Sequence, residues 1–251
     1  MEAVDSRKLS GVIGYKQVGQ IDSKKLSYSS VMIVGCGSIG SVCANLLTRQ
    51  GVGQICLIDN DRIEFTKLSM QELYNVDVAR RNQFKVLAAK EHLELINPNV
   101  VIEPVIERLS MHNALRLVSG ADLVLDGTDN DASRYAINHI CHQLGIPWIF
   151  ATILEWYGLM MNIIPGETPC FACAFGPSPI SLENSARTKS NKVTAHLVAT
   201  LMVSQALRIL LGMEGYKRGL MYADALHLSL ELIEIKSPKQ GCPVCGRQDI
   251  D

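Results

Sequence analysis

The chain has 251 residues, 47% of them hydrophobic and 20% charged, with a formal net charge of −1. This length and apolar content suit one large α/β domain or two small ones, with a sizeable core, and the near-zero charge gives no broad attraction to nucleic acid or an anionic membrane. The N-terminal "MEAVDSRKLS" carries no secretory h-region, and the most apolar stretch, "HLVATLMVSQALRILLGM", is broken by Ser204, Gln205 and Arg208 and reads as too short to cross a bilayer; the expected setting is the cytoplasm, with no nucleic-acid or membrane partner.

Residues 1–30 read as an N-terminal arm. Residues 31–34 form a short apolar run ending at Gly35, the pattern of a buried parallel strand. Ile39, Val42, Cys43, Leu46 and Leu47 then recur at helical spacing up to a stop at Gly51. "QICLID" is the second predicted strand, "FKVLAAKEHLELI" an amphipathic helix closed by Asn97-Pro98, and "VVIEPV" the third strand. "ADLVLDGTDN" is a strand running into a polar turn, "ASRYAINHICHQLG" a helix, and "IPWIFA" a further strand. This alternation predicts a right-handed, Rossmann-like, doubly wound and mostly parallel sheet covered on both faces.

Past Ala151 the pattern changes. "WYGLMMNIIPG" and "LHLSLELIEI" read as antiparallel strands, the second with apolar residues alternating at Leu228, Leu230 and Leu232. Between them lie the loop-like "GPSPISLENSARTKSN" and a long helix from about Lys192 to Leu211. The simplest organisation is one domain over 1–251, with a nucleotide-binding half at 31–151 and a substrate and metal half, the antiparallel extension, at 152–251.

Gly35, Gly37 and Gly40 form G-x-G-x-x-G between a strand and a helix. Glycine there permits a tight turn and close approach of phosphate, and the helix N-terminus offers free N–H groups. Asp59 ends the next strand, placed to accept from ribose hydroxyls. These features alone suit NAD as well as ATP. The second strand, however, ends in Asp59-Asn60-Asp61, and the fourth in "DGTDN", which puts Asp129 at the carboxyl edge of the sheet. Extra acids beside phosphates make sense if Mg²⁺ bridges them. Lys85 reads either as a cation for phosphate charge or as a solvated lysine on a helix face.

Of eight cysteines, four form two pairs, Cys170-x-x-Cys173 and Cys242-x-x-Cys245. Two such pairs supply a closed tetrahedral thiolate set, the donor set of a structural Zn²⁺ site. Such a site would staple the C-terminal tail to the antiparallel extension. Cys36, Cys43, Cys56 and Cys141 sit in apolar patterns and read as small buried hydrophobes.

"VMIVGCGSIGSVCANLLTRQGVGQICLIDND", "LVLDGTDN", "INPNV", "PCFAC" and "GCPVCG" together resemble the ThiF/MoeB/HesA group, relatives of ubiquitin-activating enzymes, over nearly the whole chain from about Ser30. The resemblance decides between the nucleotides in favour of ATP. It implies carboxylate activation: a carboxylate attacks the α-phosphate of Mg-ATP, releasing pyrophosphate and leaving an acyl-adenylate. On the matching positions Gly35, Gly37, Ser38 and Gly40 line the phosphates and Asp59 holds the ribose. Asp129 holds Mg²⁺, Lys85 meets phosphate charge, and Asn130 flanks the site, so that Lys85 and Asp129 are the catalytic candidates. The resemblance also implies a homodimer.

Three departures stand out. Where the family reads S/T-N-L-x-R-Q, this chain has "TKLSMQ": Thr66, Leu68 and Gln71 match, but Lys67 and Met70 replace Asn and Arg. Lys67 could return the lost charge from a shifted position, although lysine does not reproduce a bidentate arginine contact. In the N-terminal arm, "DSRKLSGVIGYKQ" offers only Arg7, Lys8 and Lys16, without the family's R-Y-x-R-Q. No cysteine occurs between Ala174 and Gly241, which leaves no thiol for an internal thioester in the crossover loop and calls for a separate acyl acceptor. Glu155, Trp156 and Tyr157 stand where substrate is expected, and read either as core aromatics or as contacts to a flat ring. The reading placed first is therefore adenylation of a ring-bearing small-molecule carboxylate, as in the family member that activates the pyridinol carboxylate in iron-hydrogenase cofactor assembly. Adenylation of the C-terminal Gly-Gly of a ubiquitin-like sulfur carrier comes second, and an ATP-binding scaffold without turnover third.

Overall fold

The computed structural model describes residues 23–176, 191–235 and 241–246. Arg7, Lys8 and Lys16 and most of the loop-like stretch before the long helix lie outside them. A short helix α1 (Ser23–Leu26) leads into β1 (Ser30–Val34), α2 (Gly40–Gln50) and β2 (Gln54–Ile58). A 3₁₀ helix (Phe65–Met70), α3 (Val76–Arg80) and α4 (Lys85–Ile96) precede β3 (Val101–Val105). Then follow α5 (Ala114–Val118), β4 (Leu123–Asp126), α6 (Asp131–Leu144) and the hairpin of β5 (Trp148–Leu154) and β6 (Tyr157–Ile163). The chain ends with α7 (Phe171–Phe175), α8 (Lys192–Leu211), β7 (Leu220–Asp224) and β8 (Ser229–Ile233).

The strands make one eight-stranded sheet in the order β3-β2-β1-β4-β5-β6-β7-β8. The pairs from β3 to β5 are parallel and those from β5 to β8 antiparallel. The expected doubly wound sheet with an antiparallel extension is thus what forms. Its inner strands are apolar on both faces because each face is covered. Val31 and Ile33 pack with α2, α4 and α8, while Met32 and Val34 face α5, α6 and α7. Pro104 lacks an N–H to donate and lies in β3, an edge strand, where the loss is tolerated. The order reverses between β1 and β4, and the turns that follow these strands open a crevice there.

Gly51 takes φ 76° and ends α2 as expected, and the long helix has the predicted bounds. At 20 residues α8 is long and apolar enough to cross a membrane, against the expectation that it would be too short. Half of its apolar window is buried, however, and it packs on β4, β5 and β6 as a core helix. Asn162 Nδ2 of β6 donates to Gln205 Oε1 of α8 at 3.0 Å and to the Lys217 carbonyl at 2.9 Å, which satisfies the donor end of this buried amide. β7 was not evident in the sequence; "LMYAD" becomes a strand because β6 and β8 pair with it on either side. Leu228, Leu230 and Leu232 are exposed despite their alternation, since β8 is the last strand and lies beyond the cover of α8. Cys36, Cys43, Cys56 and Cys141 are all buried among apolar neighbours, as expected.

Candidate active site

The turn after β1 and the turn after β4 cross at a distance only glycine allows. Gly35 has φ 87°, and a Cβ there would stand 2.7 Å from the Gly127 carbonyl oxygen. A Cβ on Gly40 would stand 1.9 Å from the Gly35 carbonyl oxygen, whereas one on Gly37 would meet nothing within 4 Å. Gly40 is therefore small for packing and Gly37 for open space over the cleft. Gly40→Ala should destabilise the fold by about 3 kcal/mol, or roughly 6–12 °C in Tm, because backbone would have to move. Gly37→Ala should leave Tm unchanged and weaken nucleotide binding; thermal melts and calorimetry separate the two, and an unshifted melt for Gly40→Ala would contradict the packing role.

The crevice is a cleft of about 530 Å³. Of the residues expected at the site, Gly35, Gly37, Ser38, Asp59, Asp61, Lys67, Gln71, Lys85, Asp129 and Asn130 line it. Gly40 and Thr66 are not part of the lining; Gly40 lies behind the turn and Thr66 is exposed on the 3₁₀ helix. No side chain caps α2, and Ser41 N–H already donates to the Gly37 carbonyl at 3.0 Å, so the N–H groups offered to a ligand are those of the turn before Ser41.

Asp59 braces the glycine turn from below. Its Oδ2 accepts from Cys36 N–H and its Oδ1 from Asp61 N–H, both at 2.8 Å. Tyr74 donates its hydroxyl proton to the Cys36 carbonyl at 3.0 Å, and burial raises the Cys36 thiol pKa well above its usual value, so this cysteine is no nucleophile. Lys85 is the first residue of α4, where the helix dipole disfavours a cation. Two acids offset that. Its Nζ lies 2.7 Å from Asp61 Oδ2 and 3.6 Å from Asp59 Oδ2, and only 5% of the side chain is exposed. Burial works to lower its pKa, but Asp59 and Asp61 outweigh burial and raise it, so the ammonium stays charged. The solvated-lysine reading is thereby excluded, and Asp61 serves as the counter-ion of Lys85.

Asp129 is exposed and lies in the turn between β4 and α6. The residues around it are tightly held. Asn130 caps α6 by accepting from Ser133 N–H at 3.0 Å. Asp126 Oδ1 accepts from Thr128 N–H at 2.9 Å and from its hydroxyl at 2.6 Å. Arg134, 3% exposed, donates to the Thr128 carbonyl at 2.8 Å and pairs with Asp131 at 3.1 Å and Asp126 at 3.5 Å. Burial raises the Asp126 pKa, and Arg134 and Thr128 oppose it. This clamp displays Asp129 while keeping its own carboxylates occupied. Among the described residues Asp129 itself has no recorded hydrogen bond or ion pair.

Arg134 and Arg108 both line the cleft and were missed in the sequence. The signal for Arg134 was its place one helical turn after Asn130; Arg108, in the segment after β3, had none. Lys67 pairs with Glu64 at 2.7 Å, both about half exposed, an ion pair weak enough to exchange for a ligand. Met70 lines the cleft in place of the family arginine. Glu155, Trp156 and Tyr157 do not line it. Glu155, at φ 52°, and Trp156 form the two-residue turn between β5 and β6, and Tyr157 stacks on Tyr222 at 5.6 Å. Thr152, Ile153 and Leu154 reach the cleft instead.

On the second face of the sheet the four paired cysteines converge, all Sγ atoms lying within 4.8 Å of one another. Sγ–Sγ separations are 3.8 Å for Cys170–Cys173, 3.7 Å for Cys170–Cys242 and 3.3 Å for Cys173–Cys245. A tetrahedron with Zn–S bonds of about 2.3 Å has edges of about 3.8 Å, so the donor set fits zinc. Burial opposes ionisation of Cys242, but the N–H groups of Cys245 and Val244 and the neighbouring thiols bring its pKa down to about 7. The cluster rests on an aromatic group in which Phe171 lies 4.9 Å from Phe150 and 5.9 Å from Trp148.

Residues 9–244 match the model of the ThiF family. A sulfur carrier protein adenylyltransferase from Thermus thermophilus is 33% identical over 238 residues, 92% of this chain and 87% of that protein. The SAMP-activating enzyme E1 from Haloferax volcanii is 29% identical over 254 residues, covering 100% of this chain and 93% of that one. In fold, a crystal structure of E. coli MccB with ATP superposes with a TM-score of 0.76 at 22% identity, over 90% of this chain and 69% of MccB. With its glycine turn, acidic turns and cysteine pairs in place within these matches, the chain belongs to the ThiF family and is an enzyme of the adenylyltransferase class.

Proposed function

We propose that the protein activates a carboxylate with ATP, and that this carboxylate is the C-terminus of a ubiquitin-like sulfur carrier. The observation that carries the reading is the pairing, across one cleft, of a free carboxylate at Asp129 with a buried, charged Lys85 beside an uncapped helix N-terminus. The N–H groups at Gly37 and Ser38 receive the phosphates, and Asp59 accepts from the ribose with its remaining lone pairs. Lys85 exchanges Asp61 for phosphate oxygen. Mg²⁺, held by Asp129, would neutralise the triphosphate where charge shifts toward pyrophosphate. The attacking carboxylate enters past Thr152, Ile153 and Leu154.

The relatives named as sulfur-carrier enzymes favour a carrier over a free small molecule. The ring-bearing small-molecule reading rested on Glu155, Trp156 and Tyr157, and their position outside the cleft lining removes that support. The adenylate passes to a separate acceptor, since no cysteine lies between Ala174 and Gly241. The proposed assembly is a homodimer.

ATP–pyrophosphate exchange decides the matter. Exchange is expected with a ThiS- or MoaD-type carrier ending in Gly-Gly and not with pyridinol or other ring-bearing carboxylates. The reverse pattern would restore the small-molecule substrate, and no exchange with either would leave an ATP-binding scaffold. Binding of NAD more tightly than Mg-ATP in calorimetry would end the adenylation reading.

A further inference from the structure

Asn138 is fully buried on α6, and its Oδ1 accepts from Phe171 N–H at 2.9 Å. That bond fixes which end of the carboxamide is the oxygen. The other end, Nδ2, is buried with no partner at hydrogen-bond geometry. Phe171 follows Cys170 directly, so the orphaned amide stands beside the first thiol of the cysteine cluster. The Asn138 amide lies near enough to the Cys170 sulfur to interact with it.

Four thiolates around one Zn²⁺ carry a net charge of −2, and buried sulfur of that charge needs N–H donors. Cys242 has the N–H groups of Val244 and Cys245 beside it, whereas the Cys173 N–H donates to the Cys170 carbonyl at 3.0 Å. We propose that Asn138 is a positioning residue of the metal centre, its Nδ2 donating a hydrogen bond to the Cys170 thiolate when zinc is bound. This rests on the four cysteines holding zinc. It gives the orphaned amide its partner. It also links two sites, because Asn130, Arg134 and Asn138 recur every four residues along α6, from the nucleotide cleft to the metal.

Asn138→Asp removes the donor while keeping the size and the oxygen that accepts from Phe171, and the measurement on the parent protein reads the bond without the negative charge that the variant adds. Zinc affinity, measured by competition with a chelator, should fall about 10–100-fold. The sulfur-to-metal charge-transfer band of the cobalt-loaded variant should shift as well. Unchanged affinity and an unchanged band would overturn the proposal. A second measurement uses the parent protein and does not depend on how the variant folds. With NMR-active cadmium bound, the Asn138 side-chain protons should show coupling to the metal through the hydrogen bond. Couplings at the Val244 and Cys245 amides with none at Asn138 would overturn the proposal. A parent protein that binds no zinc, cobalt or cadmium would overturn the metal centre itself, a result distinct from either of these.

Discussion

Asp129→Ala will lower adenylate formation by at least about 10²–10³-fold while leaving the fold intact, because it removes one preorganised charge at the reacting phosphates. The fold survives because Asp129 is exposed and makes no recorded contact among the described residues, whereas Asp126, Asp131 and Arg134 hold the turn without it. The rate does not survive because the other cleft acids are engaged. Asp59 takes two backbone N–H groups, Glu107 pairs with Arg116 and Asp61 faces Lys85, whereas Asp129 is exposed and has room for a cation. Lys85→Ala should also slow exchange, and unlike Asp129→Ala it should disturb Asp59 and Asp61 by leaving them unpaired. ATP–pyrophosphate exchange with circular dichroism reads both effects. Parental exchange by folded Asp129→Ala protein would place the metal elsewhere.

Cys242→Ser will release zinc and lower stability by more than about 4 kcal/mol, roughly 10 °C or more in Tm. Cys242, Val244 and Cys245 pack against the second core, and Cys242 and Cys245 meet Cys170 and Cys173 there. Metal-binding energy therefore feeds directly into the order of that tail. A chelator applied to the parent should reproduce the loss, and added zinc should reverse it. Metal analysis of one zinc per chain in the parent and none in the variant is the expected result. Equal zinc content and equal melting in the two proteins would remove the structural role.

Local pattern determined a large part of this molecule. The apolar runs at Val31–Val34 and in "QICLI" specify buried strands because a parallel strand covered on both faces has no room for polar alternation. The glycine spacing specifies the turn, since no Cβ fits against the Gly35 carbonyl. The two CxxC pairs specify a four-sulfur cluster, and the apolar stretch after Asn191 specifies a helix with the observed ends. Each is a constraint carried by a few neighbouring residues, and each is readable for that reason.

What the sequence did not carry are partnerships across long separations. Asp61 and Lys85 are 24 residues apart, and nothing local says that one neutralises the other. Arg134 reads as an ordinary helix residue until β4 places Asp126 beside it. Asn138 reads the same way until Phe171 and Cys170 arrive from 33 and 32 positions further on. Glu155, Trp156 and Tyr157 follow Leu154 directly, yet a two-residue hairpin turns them away from the cleft that Leu154 lines. Sequence fixed which side chains could do chemistry at phosphate or at zinc. Only the sheet order and helix packing decided which of them face one another, because charge pairing and burial depend on distance in space and not on position along the chain.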